Sequence, residues 1–157
     1  MNKPVAIVTG GAGFIGSHMV DLLLEQDYRV RVIDNLSGGH ANNLVHHRNN
    51  ANLVFEELDI LNINDKNTLF HNIDYVFHFA GIGDIIPSIE EPIKYIETNV
   101  LGTVKVLEAA RSANVKKLVY AASSSCYGLA AIPTKENHQI VPQYPYALSK
   151  YQGESAS

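Results

Sequence analysis

Tyr146 and Lys150 stand four residues apart in Tyr146-Ala-Leu-Ser-Lys150, a spacing that puts both on one helix face about one turn apart. A phenol titrates near pH 10, so a tyrosine that takes protons near neutrality must have its pKa lowered by about 3 units, or about 4 kcal/mol. One cation held about 4 Å away supplies on the order of 4 kcal/mol at an effective dielectric of about 20. The pair therefore has the magnitude of a proton-transfer catalyst, Tyr146 as the base and Lys150 as its tuning cation. Tyr144 and Tyr151 lie nearby, but of these three tyrosines only Tyr146 has a lysine four residues on. Upstream, Ser123-Ser124-Ser125 forms a hydroxyl cluster at the C-terminal end of an expected strand. That end of a doubly wound sheet opens into the crevice where ligands bind, so the three serines are candidate substrate contacts.

Positioning these groups requires a scaffold, and the chain carries the pattern of one. Short β-rich apolar runs at 5–9, 29–34, 53–58, 75–79 and 117–122 read as buried parallel strands. Between them, residues 14–26 read as a helix with Ile15, Met19, Leu22 and Leu23 on one side. Residues 92–113 read as another, with Ile96, Val100, Val104 and Leu107 in a single apolar stripe. A shorter helix is expected around 65–71, and a last one from Tyr144 or Pro145 onward. Strand–helix alternation of this kind predicts an α/β fold, a doubly wound parallel sheet with right-handed crossovers. Two connections are long, a polar one at 35–52 and one at 128–143 containing Pro133 and Pro142; loops of that length are functional or disordered.

Directly after the first strand comes Thr9-Gly10-Gly11-Ala12-Gly13-Phe14-Ile15-Gly16. Glycines at 10, 13 and 16 permit a tight turn, close backbone approach to a pyrophosphate, and close packing of helix on strand. The next helix presents its N-terminal N–H groups to phosphate. The second strand ends at Asp34, placed to accept hydrogen bonds from adenosine ribose hydroxyls and to repel a 2′-phosphate. This pattern predicts NAD, in preference to NADP, as the cofactor of a Rossmann domain.

Taken together, Gly10-x-x-Gly13-x-x-Gly16 and Tyr146-x-x-x-Lys150 resemble the extended short-chain dehydrogenase/reductase family. Thr9–Gly16, Asp34-Asn35, Asp59-Ile60, His78-Phe79-Ala80-Gly81 and Asn99 are similar to its UDP-glucose 4-epimerase group. The resemblance covers essentially the whole chain. It implies that Asp59 and Ile60 lie at the adenine, that Phe79, Ala80 and Gly81 run along the cofactor's phosphates and ribose, and that Asn99 sits in the helix beside the active-site end of the sheet. Phe14, Ile15 and Asn35 join the cofactor set, and Tyr146 and Lys150 belong to it as well as to catalysis. It also makes Ser123 the catalytic serine, hydrogen-bonded to the sugar's reacting oxygen, and puts Lys150 on the nicotinamide ribose. Ser124 and Ser125 occupy positions where the related 4,6-dehydratases carry an acidic pair, so dehydration is not expected. The implied activity is epimerisation of a nucleotide sugar, a UDP-hexose, through a transient 4-keto sugar. An NAD-dependent reductase, dehydrogenase or decarboxylase acting on nucleotide sugars is the alternative, and a cofactor-binding fragment without activity a further one. Relatives of this kind are roughly twice as long, so residues 1–157 are expected to be an incomplete NAD-binding domain without its C-terminal strands and substrate domain. The resemblance also implies a homodimer of the full-length protein, formed by the 92–113 helix and the helix of Lys150.

Bulk properties exclude other classes. With 46% hydrophobic residues and a net charge of −4, the chain can bury a core, and it has no basic cluster to recruit nucleic acid or an anionic membrane. Its apolar runs are too short to span a bilayer. Neither a secretory leader nor a disulfide is expected, since Cys126 is the single cysteine, and this points to the cytoplasm. Cys126 reads as a packing residue. His46-His47, with His40, lack zinc-type partner spacing and read as a solvated loop, so no metal is expected.

Overall fold

The computed structural model describes residues 3–64 and 68–157. Five strands, β1 (Val5–Thr9), β2 (Arg29–Asp34), β3 (Leu53–Glu57), β4 (Tyr75–His78) and β5 (Lys117–Tyr120), pair in parallel in the order β3-β2-β1-β4-β5. The chain winds outward from β1 to β3 and then restarts on the other side of β1. The switch point therefore falls between β1 and β4, where open α/β sheets bind ligands. Register carries the site to one level, since Thr9 lies beside both Ile33 and His78.

Each strand of the centre has apolar side chains on both faces, as a sheet covered on both sides requires. Val5 and Ile7 of β1 pack with Ile33, Ile60, Ile63, Phe70, Val76 and Val106 on one face. Ala6 and Val8 pack with Val20, Leu23, Val30, Val32 and Leu44 on the other. Burying a branched side chain of this size stabilises by about 1.5–3 kcal/mol, which makes β1, buried along its whole length, the anchor of the fold. The edges are less covered: β3 and β5 hold only exposed and half-buried positions.

The helices are α1 (Phe14–Glu25), α2 (Ile85–Glu90), α3 (Pro92–Ile96), α4 (Gly102–Ser112) and α5 (Pro145–Ala156). A π-helical turn, Glu97–Leu101, joins α3 to α4. The helix expected over 92–113 thus has a wide turn in its middle. Its buried face differs from the expected stripe as well: Asn99, Thr103, Val106 and Ala110 face inward, whereas Ile96 and Val104 are each 38% exposed. Small and polar residues let this helix lie close to the sheet end, so the larger aliphatics turn outward. In α1 the buried residues are Gly16, Ser17, Val20 and Leu23, and Ile15 and Leu22 are exposed. Of the expected face, Leu23 is buried and Met19 packs against the core, while the close approach demanded by the glycine loop turns the buried side toward Gly16 and leaves Ile15 and Leu22 outside.

Helix α2 lies between β4 and α3. Pro87 is its third residue, in the first turn, where a missing N–H removes no helical hydrogen bond. Within the connection at 35–52, Ala41–His47 forms a 3-10 turn that buries Leu44. Of the short helix expected around 65–71, Thr68–Phe70 is a 3-10 turn burying Phe70, and residues 65–67 lie outside the described residues. Residues 128–143 run through turns and bends.

Candidate active site

A cleft of about 610 Å³ opens at the C-terminal end of the sheet, bordered by the glycine loop, the end of β2, the segment after β4 and α3. Gly10 has φ +68°, and a Cβ added there would lie 2.7 Å from the Ala80 nitrogen. Only glycine combines that backbone with that approach. Gly13 closes the turn by donating its N–H to the Gly10 carbonyl at 3.0 Å and stands at the start of α1 without a side-chain cap. Helix geometry leaves the first-turn N–H groups without intrahelical acceptors, and here they border the cleft through Phe14, Ile15 and Gly16. This is an anion cradle.

Asp34 ends β2 with 7% exposure. Its Oδ2 accepts from the Ala12 N–H at 2.9 Å and its Oδ1 from the Leu36 N–H at 2.8 Å. The carboxylate therefore pins the glycine loop to the second strand, and its remaining lone pairs border the cleft. Asn35 donates Nδ2–H to Asp59 Oδ2 at 2.8 Å, while Asp59 Oδ1 accepts from the Leu61 N–H and caps the turn Ile60–Asn62. Both line the cleft, as do Ile60, Phe79, Ala80 and Gly81. Ile60 is also a core residue, 4% exposed.

Beneath the cleft runs a polar chain that orders its far wall. The Ala80 N–H is 3.3 Å from Thr9 Oγ1, which is 2.6 Å from His78 Nδ1. His78 Nε2 is 2.9 Å from Thr103 Oγ1, and that hydroxyl donates to the Asn99 carbonyl at 2.7 Å. With the Thr103 proton committed to Asn99, Nε2 must carry the imidazole proton and Nδ1 accepts from Thr9. Burial, with a smaller contribution from the Lys150 charge, pushes His78 down to about 3, so it stays neutral and keeps this direction. Asn99 continues the chain: Oδ1 accepts from the Ile82 N–H at 2.8 Å, and Nδ2 donates to the Ile82 carbonyl and to Ser149 Oγ, both at 3.0 Å. Ser149 in turn donates to the Tyr146 carbonyl at 2.8 Å. Asn99 is 1% exposed and is absent from the cleft lining, so in this structure it ties α5 to the segment after β4.

Tyr146 and Lys150 both lie on α5. The half-buried Tyr146 ring stands 6.3 Å from Tyr95, edge to face, and 6.4 Å from Tyr144, stacked. Tyr95 lines the cleft and donates its hydroxyl to the Gly83 carbonyl, so Tyr146 stands beside a lining residue, while Tyr146, Lys150, Ser123, Ser124 and Ser125 are themselves absent from the lining. Lys150 is 9% exposed, with Nζ 4.3 Å from the Tyr120 ring centre. Desolvation lowers its pKa to about 8, with Cys126 and Glu154 acting in the opposite direction. Ser123 caps the turn Ser124–Tyr127, accepting from the Ser125 N–H at 3.2 Å. That turn packs on α5 through Cys126, whose thiol is 3.6 Å from the Ala147 carbonyl. The serine turn and the tyrosine helix are thus joined, two residues beyond Ala121, which lines the cleft.

Of the expected site residues, the glycine loop and Asp34 lie on the cleft lining; sequence spacing gave no sign of the Thr9–His78–Thr103 chain, whose members lie on three elements. It also missed the cleft positions of Ser37, Gly38 and Gly39; the Gly38-Gly39 pair just after Asp34 was the available signal. Gly83, Asp84 and Pro87, after β4, also lie on the lining.

Residues 6–157 match the NAD dependent epimerase/dehydratase family. Over 150 residues the chain is 41% identical to a putative UDP-glucose 4-epimerase of Methanocaldococcus jannaschii, covering 94% of this chain and 48% of that protein. The UDP-N-acetylglucosamine 4-epimerase of Methanobrevibacter ruminantium M1, solved with UDP-N-acetylmuramic acid, superposes with a TM-score of 0.91 at 37% identity, over 99% of this chain and 49% of that one. A dTDP-glucose 4,6-dehydratase of Streptomyces venezuelae, solved with NAD, superposes with a TM-score of 0.88 at 32% identity, over 97% and 50%. The chain spans about half the length of these proteins.

Proposed function

The chain belongs to the NAD dependent epimerase/dehydratase family, and from that premise we propose that residues 1–157 are the NAD-binding Rossmann half of a nucleotide-sugar 4-epimerase. The observation that carries this is one cleft lined by a glycine loop closed against Ala80 and by a carboxylate at the end of β2, with Tyr146 of the tyrosine–lysine helix 6.3 Å from Tyr95 on that lining. The cleft fits the cofactor: its glycines leave the space that a Cβ would fill, and its donors and acceptors suit a pyrophosphate and a ribose.

When bound, NAD supplies reversible hydride acceptance, which inversion of a carbinol centre requires. The chain's own residues do the rest. Gly10, Gly13, Phe14, Ile15 and Gly16 present backbone N–H groups to the pyrophosphate. Asp34 accepts from the adenosine ribose, Asn35, Asp59 and Ile60 border the adenine, and Phe79, Ala80 and Gly81 follow the phosphates and ribose. Asn99 holds the wall on which these lie. Tyr146 takes the proton of the sugar's 4-hydroxyl and later returns it to the same oxygen, to which the Ser123 hydroxyl donates a hydrogen bond. Lys150 supplies the adjacent positive charge, and Ser124 and Ser125 are offered to substrate. The substrate class is a UDP-hexose, which the similarity to UDP-sugar epimerases supports. No helix among the described residues is long and apolar enough to cross a membrane, and the buried free thiol of Cys126 suits the reducing cytoplasm.

The full-length protein is expected to interconvert a UDP-hexose pair without net NADH accumulation. Tyr146→Phe is expected to lower kcat by roughly 10²–10⁴-fold while NAD binding, followed by calorimetry, persists. Absence of interconversion for every UDP-hexose pair would overturn the proposal. The alternative, a nucleotide-sugar reductase, dehydrogenase or decarboxylase, requires NADH to accumulate with substrate. A dehydratase activity is favoured by the dTDP-glucose neighbour but disfavoured by Ser124 and Ser125, which offer no acid/base pair. Calorimetry of the 157-residue chain with NAD separates a cofactor-binding half from an inert one.

A further inference from the structure

On the outer side of α1, away from the cleft, Asp21 meets His46 and His47 from the end of the turn Ala41–His47. Asp21 Oδ1 lies 2.8 Å from His46 Nε2 and 2.7 Å from His47 Nε2, and the two imidazoles are tilted against each other with centroids 4.1 Å apart. We propose that Asp21, His46 and His47 form a binding site for a divalent transition ion of the zinc class.

The donor set selects the ion. Two imidazole nitrogens and one carboxylate oxygen, all within 4.8 Å of one another, match borderline ions such as Zn²⁺ or Co²⁺. Ca²⁺ and Mg²⁺ are disfavoured because they take sets made of oxygen. Tetrahedral bonds of about 2.0–2.2 Å separate neighbouring ligand atoms by roughly 3.4 Å, so the two carboxylate–imidazole separations have to open by about half an ångström to admit the ion. The side chains have that freedom, His46 being 53% exposed, Asp21 35% and His47 18%. Loading moves each ring proton from Nε2 to Nδ1, leaving Nε2 as the ligand, and a water completes the fourth position.

The site is structural in character. It joins α1 to the segment that follows Asp34, and the same segment donates from the His40 N–H and the Asn43 side chain to the Ala12 carbonyl of the glycine loop. None of the three ligands lines the cofactor cleft. Sequence spacing missed the site because the third ligand lies 25 residues before His46, on a different element.

After treatment with EDTA, the 157-residue chain is titrated with Co²⁺, followed by visible absorption and calorimetry, and then challenged with Zn²⁺. One equivalent of Co²⁺ in the micromolar range, displaced by Zn²⁺ and lost below about pH 6 as imidazole protonates, is expected. The H46A/H47A double variant and, separately, D21N are expected to weaken binding at least tenfold, with far-UV circular dichroism confirming that each is folded. His46→Gln alone, at an exposed position, provides the same readout should the double variant not fold. Absence of binding by the unmodified chain, undiminished binding in the folded variants, or a thiolate charge-transfer band from Cys126 would each overturn the site.

Discussion

Lys150 is a cation kept almost out of water, with a tyrosine ring beneath it and no salt bridge among the described residues. Desolvation is what lowers its pKa, from 10.5 to about 8, so the lysine remains charged at neutral pH at the expense of folding stability. Between pH 8 and 10.5 the unfolded chain holds a proton that the folded chain has released. Stability therefore rises with pH across that window. In the NAD-free chain, Lys150→Met is expected to melt at a higher temperature than the parent at pH 7, with the gap closing as pH approaches 10.5. A gap that does not change with pH would show that burial of the charge is not its cause. Tyr146 and Lys150 were legible in the sequence because their relation is local, one turn of helix. The burial of Lys150 was not, because the ring beneath it comes from β5 and the cover from the turn Ser124–Tyr127.

At the scale of elements, the strands were the most legible part: each of the five stands within two residues of its expected end, because uninterrupted apolar runs suit a sheet covered on both faces. The helices were less so. Periodicity along 92–113 identified a helix, but not which face it buries, since an apolar stripe and a small-polar stripe were both present and the latter packs inward. The π turn that offsets the two halves holds Asn99, whose amide is saturated by Ile82 and Ser149. Asn99→Ala removes the donor to the buried Ser149 hydroxyl and both side-chain partners of the half-buried Ile82 backbone groups; an unsatisfied buried group costs about 1–3 kcal/mol. Urea unfolding is expected to show a loss of roughly 2–4 kcal/mol, accompanied by weaker NAD binding as α5 and the segment after β4 loosen. A variant as stable as the parent would mean that Asn99 does not tie these elements.

At the scale of the whole molecule, the outward stripe becomes a surface. Ile93 is 73% exposed, Ile96 and Val104 38% each, and Leu148 on the neighbouring α5 42%. We propose that a second copy covers this face, giving the full-length protein as a homodimer. Ile93→Glu with Ile96→Glu is expected to convert the dimer to a monomer in light scattering, because two charges per copy would be buried without partners. An unchanged mass would rule out this face as the interface. What the sequence by itself determined are the features set by neighbours along the chain: strand identity, the glycine turn, the strand-end carboxylate and the one-turn Tyr146–Lys150 spacing. Only the tertiary structure decided which helix faces are buried, how Thr9, His78, Thr103 and Asn99 join into one polar chain, and that Asp21 meets His46 and His47. Those depend on parallel register and on elements brought together from distant positions, and local backbone preference encodes neither.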